Sequence, residues 1–128
     1  MKEKEITVVM VEPGERPKVT TLKNDLDALQ KAVSIGADYQ GLIELISLEA
    51  GVDLLCNEEG KLIGLDWNRC VGNDVIAGVF YVVGADGSGN LVSLSEAQQK
   101  KYIEMFWEPE YFSKDDDIFE CILRLFGI

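Results

Sequence analysis

The chain has 128 residues, an ordinary length for one domain, and 47% of them are hydrophobic, so one globular unit over residues 1–128 is expected rather than a disordered chain. Its 23 acidic and 12 basic residues give a formal charge of −11, a sign that repels phosphates and anionic membrane surfaces and disfavours direct nucleic-acid binding. There is no histidine, which removes the commonest general base and metal ligand, and with it Ser-His and Cys-His nucleophiles.

Residues 5–11 are rich in β-branched side chains and read as a buried strand. Two prolines and a glycine in residues 12–17 reverse the chain, and residues 18–22 return as the second strand of a hairpin. Asn24 is read as an N-cap for a helix over about residues 25–35, with Leu26, Leu29 and Val33 on one face and Gly36 just past its end. Residues 39–48 form an apolar run too short for periodicity to decide, and a strand from Leu42 is favoured over a short helix. Residues 52–56 read as a strand, 57–60 as a turn and 61–65 as a partner strand, a second hairpin. Residues 66–74 read as irregular or as one short helical turn.

Residues 75–83 are the most apolar stretch and are expected to form the central strand, with Gly78 marking a bulge or a close backbone approach. A glycine-rich loop over 84–90 follows, and Ser95 opens a helix to about Phe106 with Gln98 as its capping-box partner. Residues 107–112 read as an aromatic loop, and residues 115–126 as a last helix behind three aspartates. This order implies an α+β fold, a mostly antiparallel sheet with two or three helices packed on one face.

Few residues suggest chemistry. The loop over 84–90 lacks the lysine of a phosphate loop, and Asp86 would repel phosphate. Asp86, Ser88 and Asn90 imitate a calcium loop, but Leu91 and Ala97 stand where its glycine and glutamate belong. The carboxylate groups at Glu58–Glu59, Glu108/Glu110 and Asp115–Asp117 read as turn or helix-dipole residues rather than a converging catalytic pair. Cys56, Cys70 and Cys121 make neither a disulfide framework nor a metal motif; Cys56 and Cys121 read as core, and reduced thiols fit the cytosol. Trp107, Tyr111 and Phe112 are read as folding back to cap the sheet rather than as an exposed anchor.

Arg69 stands apart. It is one of five basic residues from Lys31 to Lys101, and it lies in a polar segment beside Asn68 and Trp67. Two roles stay open: tying down an irregular segment by forked hydrogen bonds, or holding the carboxylate of a ligand. Asn57, Glu58, Glu59, Asn68 and Arg69 are the candidate interaction residues. No catalytic, cofactor-binding or metal-binding residue is expected.

The segments 9–14 with Pro17, 26–30, 56–62 with Gly64 and Leu65, Asn68-Arg69, and 76–84 together resemble domain-of-unknown-function family 3846. The Cys56-Asn-Glu-Glu-Gly-Lys-Leu62 run followed by Asn68-Arg69 and Ile76-Ala-Gly78 is the most specific part. The similarity spans about residues 5–106, with residues 34–51 longer than usual and no counterpart after Trp107. The resemblance implies small acidic proteins of Firmicutes, their phages and mobile elements, and brings no known activity. The functional expectation is a non-enzymatic, cytoplasmic binding protein whose partner is a protein with a basic surface, with an anti-defence role as one form. The alternative is a small-ligand module or enzyme with a pocket around Arg69. No apolar run reaches the ~20 residues that span a bilayer, and the first residues lack the apolar stretch of a signal peptide.

Overall fold

The computed structural model describes residues 3–112. Their elements in chain order are β1 (Glu5–Val11), β2 (Lys18–Lys23), α1 (Leu26–Ala32), β3 (Ile43–Glu49), β4 (Val52–Asn57), β5 (Trp67–Val71), β6 (Asp74–Ala77), β7 (Phe80–Ala85), β8 (Leu91–Val92) and α2 (Glu96–Met105). One sheet runs β2-β1-β7-β4-β3 with β8 against β7, and β5 and β6 form a separate ribbon. Every pairing is antiparallel. The α+β class and the mostly antiparallel sheet are as expected. The last expected helix, over 115–126, and Cys121 lie outside the described residues. Among the described residues no helix is long and apolar enough to cross a membrane.

The helices do not share a face, which corrects the expectation. Phe80 and Val82 of β7 join Val9, Val11, Leu54, Tyr102 and Phe106 in one core under α2. Tyr81 and Val83, pointing the other way, join Ile6, Val8, Leu55, Leu29 and Val33 in a second core under α1. The physical reason is local: β7 is buried at five of its six positions, so odd and even side chains both need cover. A strand apolar on both sides draws one helix to each face.

Three other local readings change. Residues 61–65 are turns rather than a strand, closed by bonds from Ile63 N–H to Glu59 and from Leu65 N–H to Gly60 carbonyls. The hairpin partner of β4 is instead β3, across Gly51 with its positive φ of 84°. Residues 66–74 hold β5 and the start of β6, not an irregular stretch. Asn24 does not cap α1: Asp25 does, its carboxylate accepting from Ala28 N–H at 2.8 Å, while buried Asn24 donates to the Glu3 and Leu91 carbonyls. The Ser95–Gln98 capping box of α2 is present.

The stretch 75–83 is cut in two at Gly78, whose φ of 83° ends β6 and releases the chain into β7. A Cβ at Gly78 would lie 2.7 Å from Leu65 Cδ1. Gly78→Ala is therefore expected to destabilise by about 1–3 kcal/mol, from left-handed backbone strain plus overpacking. A urea titration measures it, and an unchanged midpoint would show that this kink is not needed.

Glu49 at the end of β3 ties the sheet to α2. Its carboxylate meets Lys101 Nζ at 2.8 Å and accepts the Tyr102 hydroxyl at 2.7 Å. The Lys101 bond and then the Tyr102 bond hold the Glu49 pKa below its ordinary value of 4.5. A depressed folded-state pKa means stabilisation that is present above 4.5 and lost as pH falls through the lower folded value. The parent should therefore lose thermal stability relative to Glu49→Gln as melting is followed from pH 6 to 3. A constant difference across that range would remove Glu49 from the acid response.

Candidate functional site

The buried polar centre is at β5. A register shift between Trp67 and Arg69 lets two consecutive side chains turn inward, where strict alternation would send one to solvent. Asn68 is 0% and Arg69 1% exposed. Asn68 Nδ2 donates to the Val11 and Gly78 carbonyls, each at 2.9 Å, and its Oδ1 accepts from Arg69 Nη1 at 2.8 Å. Arg69 Nη2 donates to the carbonyls of Glu15 at 2.6 Å and Phe106 at 3.0 Å, Nε to Phe106 at 3.3 Å, and Nη1 also to the Asn68 carbonyl at 3.4 Å. The guanidinium fork thus joins the β1–β2 reversal, β5 and the C-terminal end of α2.

Burial lowers the Arg69 pKa from its ordinary value, and the nearby Glu110 carboxylate opposes that shift. Glu110 also accepts the Cys70 N–H at 3.0 Å. Arginine retains its charge at neutral pH in any protein setting, so this is a buried cation held chiefly by carbonyl dipoles.

The other candidates gather elsewhere. Asn57 is buried at the end of β4, where Nδ2 donates to the Val33 carbonyl at 3.3 Å and Oδ1 accepts from Glu59 N–H at 2.9 Å. Gly41 packs against it so closely that a Cβ there would lie 2.9 Å from Nδ2. Glu59 accepts the Tyr39 hydroxyl at 2.9 Å, and exposed Glu58 donates its N–H to the Leu42 carbonyl. The hydrogen bonds of Asn57 run to α1 and to its own turn, and those of Asn68 and Arg69 run to β1, α2 and the kink at Gly78, so the five candidates form two groups rather than one site.

Clefts on the described surface include the following three. One of about 470 Å³ lies between the β1–β2 reversal, residues 64–67 and residues 110–112; a neighbour of about 330 Å³ shares Pro13, Gly64, Leu65 and Asp66. A third, of about 280 Å³, includes Asn57, Glu58, Cys56 and the ion-paired Lys61 and Asp74. Arg69 lines none of the three. The Cys56 thiol is pushed up to about 12, first by burial and then by Glu44, and so is no nucleophile at neutral pH.

Two aromatic expectations also change. Trp107 is 41% and Tyr111 74% exposed, so neither caps the sheet, and the Arg16 guanidinium stacks 4.6 Å from the Trp107 ring. The capping ring is Phe106, edge-on to Phe80 at 5.1 Å. The helix ends at Phe106, and Trp107 and Tyr111 beyond it are exposed. In the glycine loop, the Asp86 carboxylate accepts from Ser88 N–H, Asn90 N–H and Asn90 Nδ2, so the loop closes on itself.

What sequence reasoning missed at this centre is not a side chain: the Phe106 and Glu15 carbonyls are what Arg69 reads, and no residue type announces a carbonyl. Residues 6–107 match the model of the family described as Domain of unknown function (DUF3846), a span that runs from β1 through the end of α2. No curated protein and no solved structure matches.

Proposed function

The chain belongs to the DUF3846 family, and we propose that it is a non-enzymatic binding protein that engages a protein with a basic surface. The observation that carries this reading is unneutralised charge. The described residues hold five lysine–carboxylate ion pairs, all partly exposed. Even with each of the 12 basic residues paired, 11 of the 23 carboxylates would have no partner cation. Such a field attracts basic surfaces and repels nucleic acid and anionic membranes. Arg69, the buried cation among the described residues, is committed to backbone carbonyls rather than to surface carboxylates.

The setting is a phage or mobile element, as the family resemblance implies, acting in the cytoplasm on a host or element-encoded protein. Interference with a nucleic-acid-handling defence protein is its sharpest form, since such proteins carry basic grooves. The second reading, a ligand site around Arg69, gains no support from the clefts, because Arg69 borders none of those described.

Capture of partners from a host lysate, followed by association kinetics on the captured protein, tests the reading. The on-rate is expected to fall about tenfold or more between 0.01 M and 0.15 M salt, as the screening length shrinks from ~30 to ~8 Å. A salt-independent on-rate would remove the electrostatic basis of the proposal.

A further inference from the structure

The sheet has two edges, and they differ. β2 carries lysine at both ends, Lys18 and Lys23, and follows Pro17, the features that discourage a further strand from pairing. β3 carries neither lysine nor proline. It pairs with β4 along one side, and among the described residues no strand pairs with Ile43–Glu49 along the other. The ladder is regular from Ile43 to Ser47 and shifts register before Glu49, so the usable length is about five residues, roughly 17 Å at ~3.4 Å each.

The side chains along that edge have a pattern. Glu44 lies opposite Cys56 on one face, and Leu45, 45% exposed, lies opposite Leu55 on the other. Leu42, just before the strand, is exposed as well. Asp53 stands across from Ser47. Glu58 follows β4, beside Leu42.

We propose that the open edge of β3 takes up an extended segment of a basic partner as an added strand, with a lysine or arginine meeting Glu44 on one face and an apolar side chain meeting Leu45 on the other. Main-chain bonds supply the attachment, and the alternating side chains supply the choice of partner. The inference rests on the basic-partner reading above and gives it a place on the molecule. A second copy of this chain is the wrong occupant, since each copy carries −11.

The probe is a ten-residue peptide alternating lysine and valine, compared with its glutamate–valine counterpart and a lysine-containing version interrupted by proline. Backbone hydrogen exchange is followed on the full chain at low salt. The lysine–valine peptide is expected to slow exchange about tenfold in residues 43–47 and to leave residues 18–23 unchanged, while the other two peptides do neither. Glu44→Lys and Leu45→Lys should each abolish that protection with melting temperature retained. Binding of the lysine–valine peptide without protection of β3 overturns strand addition and leaves the basic-partner reading standing. No binding of that peptide at low salt overturns the basic-partner reading itself. Equal protection by the glutamate peptide, or protection that grows with protein concentration alone, overturns a basic segment as the occupant.

Discussion

Arg69→Ala is expected to destabilise the protein by about 3 kcal/mol, lowering its melting temperature by roughly 10 °C or more. The substitution leaves the Glu15 and Phe106 carbonyls without the donors that reach them at 2.6 and 3.0 Å. Each buried acceptor left unpaired costs ~1–3 kcal/mol, and a cavity replaces a long side chain that is 1% exposed. Against these losses stands the desolvation of the guanidinium, a cost that the alanine variant no longer carries. The net effect therefore falls below the sum of the individual bonds. Arg69→Lys should lie between parent and alanine, because one ammonium cannot span carbonyls from two segments as a planar fork does. Thermal denaturation of the three proteins is the measurement. An alanine variant as stable as its parent would falsify the structural role and restore a ligand-directed one.

Asn68→Ala is expected to cost about 2–3 kcal/mol, since it strips the Val11 and Gly78 carbonyls of their shared donor. Those two carbonyls belong to the end of β1 and to the kink before β7, so the loss is felt where the ribbon joins the main sheet. The Asn68→Ala/Arg69→Ala pair should be less destabilising than the two single changes added together, by about 1 kcal/mol. The Asn68 Oδ1 to Arg69 Nη1 bond disappears in either single variant, so its loss cannot be counted twice. A double-mutant cycle in urea reads this directly. Strict additivity would mean that the two side chains are held independently, whatever their distance.

Residues with strong local preferences are legible in the amino-acid sequence. The β-branched run of β1, the proline-glycine reversal after it, the Ser95–Gln98 capping box and the central place of Phe80–Val83 all follow from near-neighbour chemistry. The candidate site is legible in part. Asn68 and Arg69 stand out in the polar segment beside Trp67, and both are buried. Their partners are not legible, because two of the carbonyls they reach belong to residues 37 and 54 positions from Arg69 in the chain.

What the sequence by itself determined is the chain's charge, its lack of histidine chemistry and the strands and helix whose signals are carried within a few residues. Tertiary structure alone decided the rest. Residues 61–65 have strand-like composition, yet Gly60 stands so close to Ala77 that a Cβ would lie 2.7 Å from its carbonyl oxygen, and the segment turns instead. The apolar run 75–83 reads as one strand, yet Leu65 packs over Gly78 and the positive φ there splits it between two sheets. The two helices sit on opposite faces because β1 and β7 bury both of theirs, and the side a helix takes depends on long-range cover rather than on its own residues. Propensity acts over one or two turns of chain, whereas close approach and burial are set by whichever distant segment arrives to fill the space.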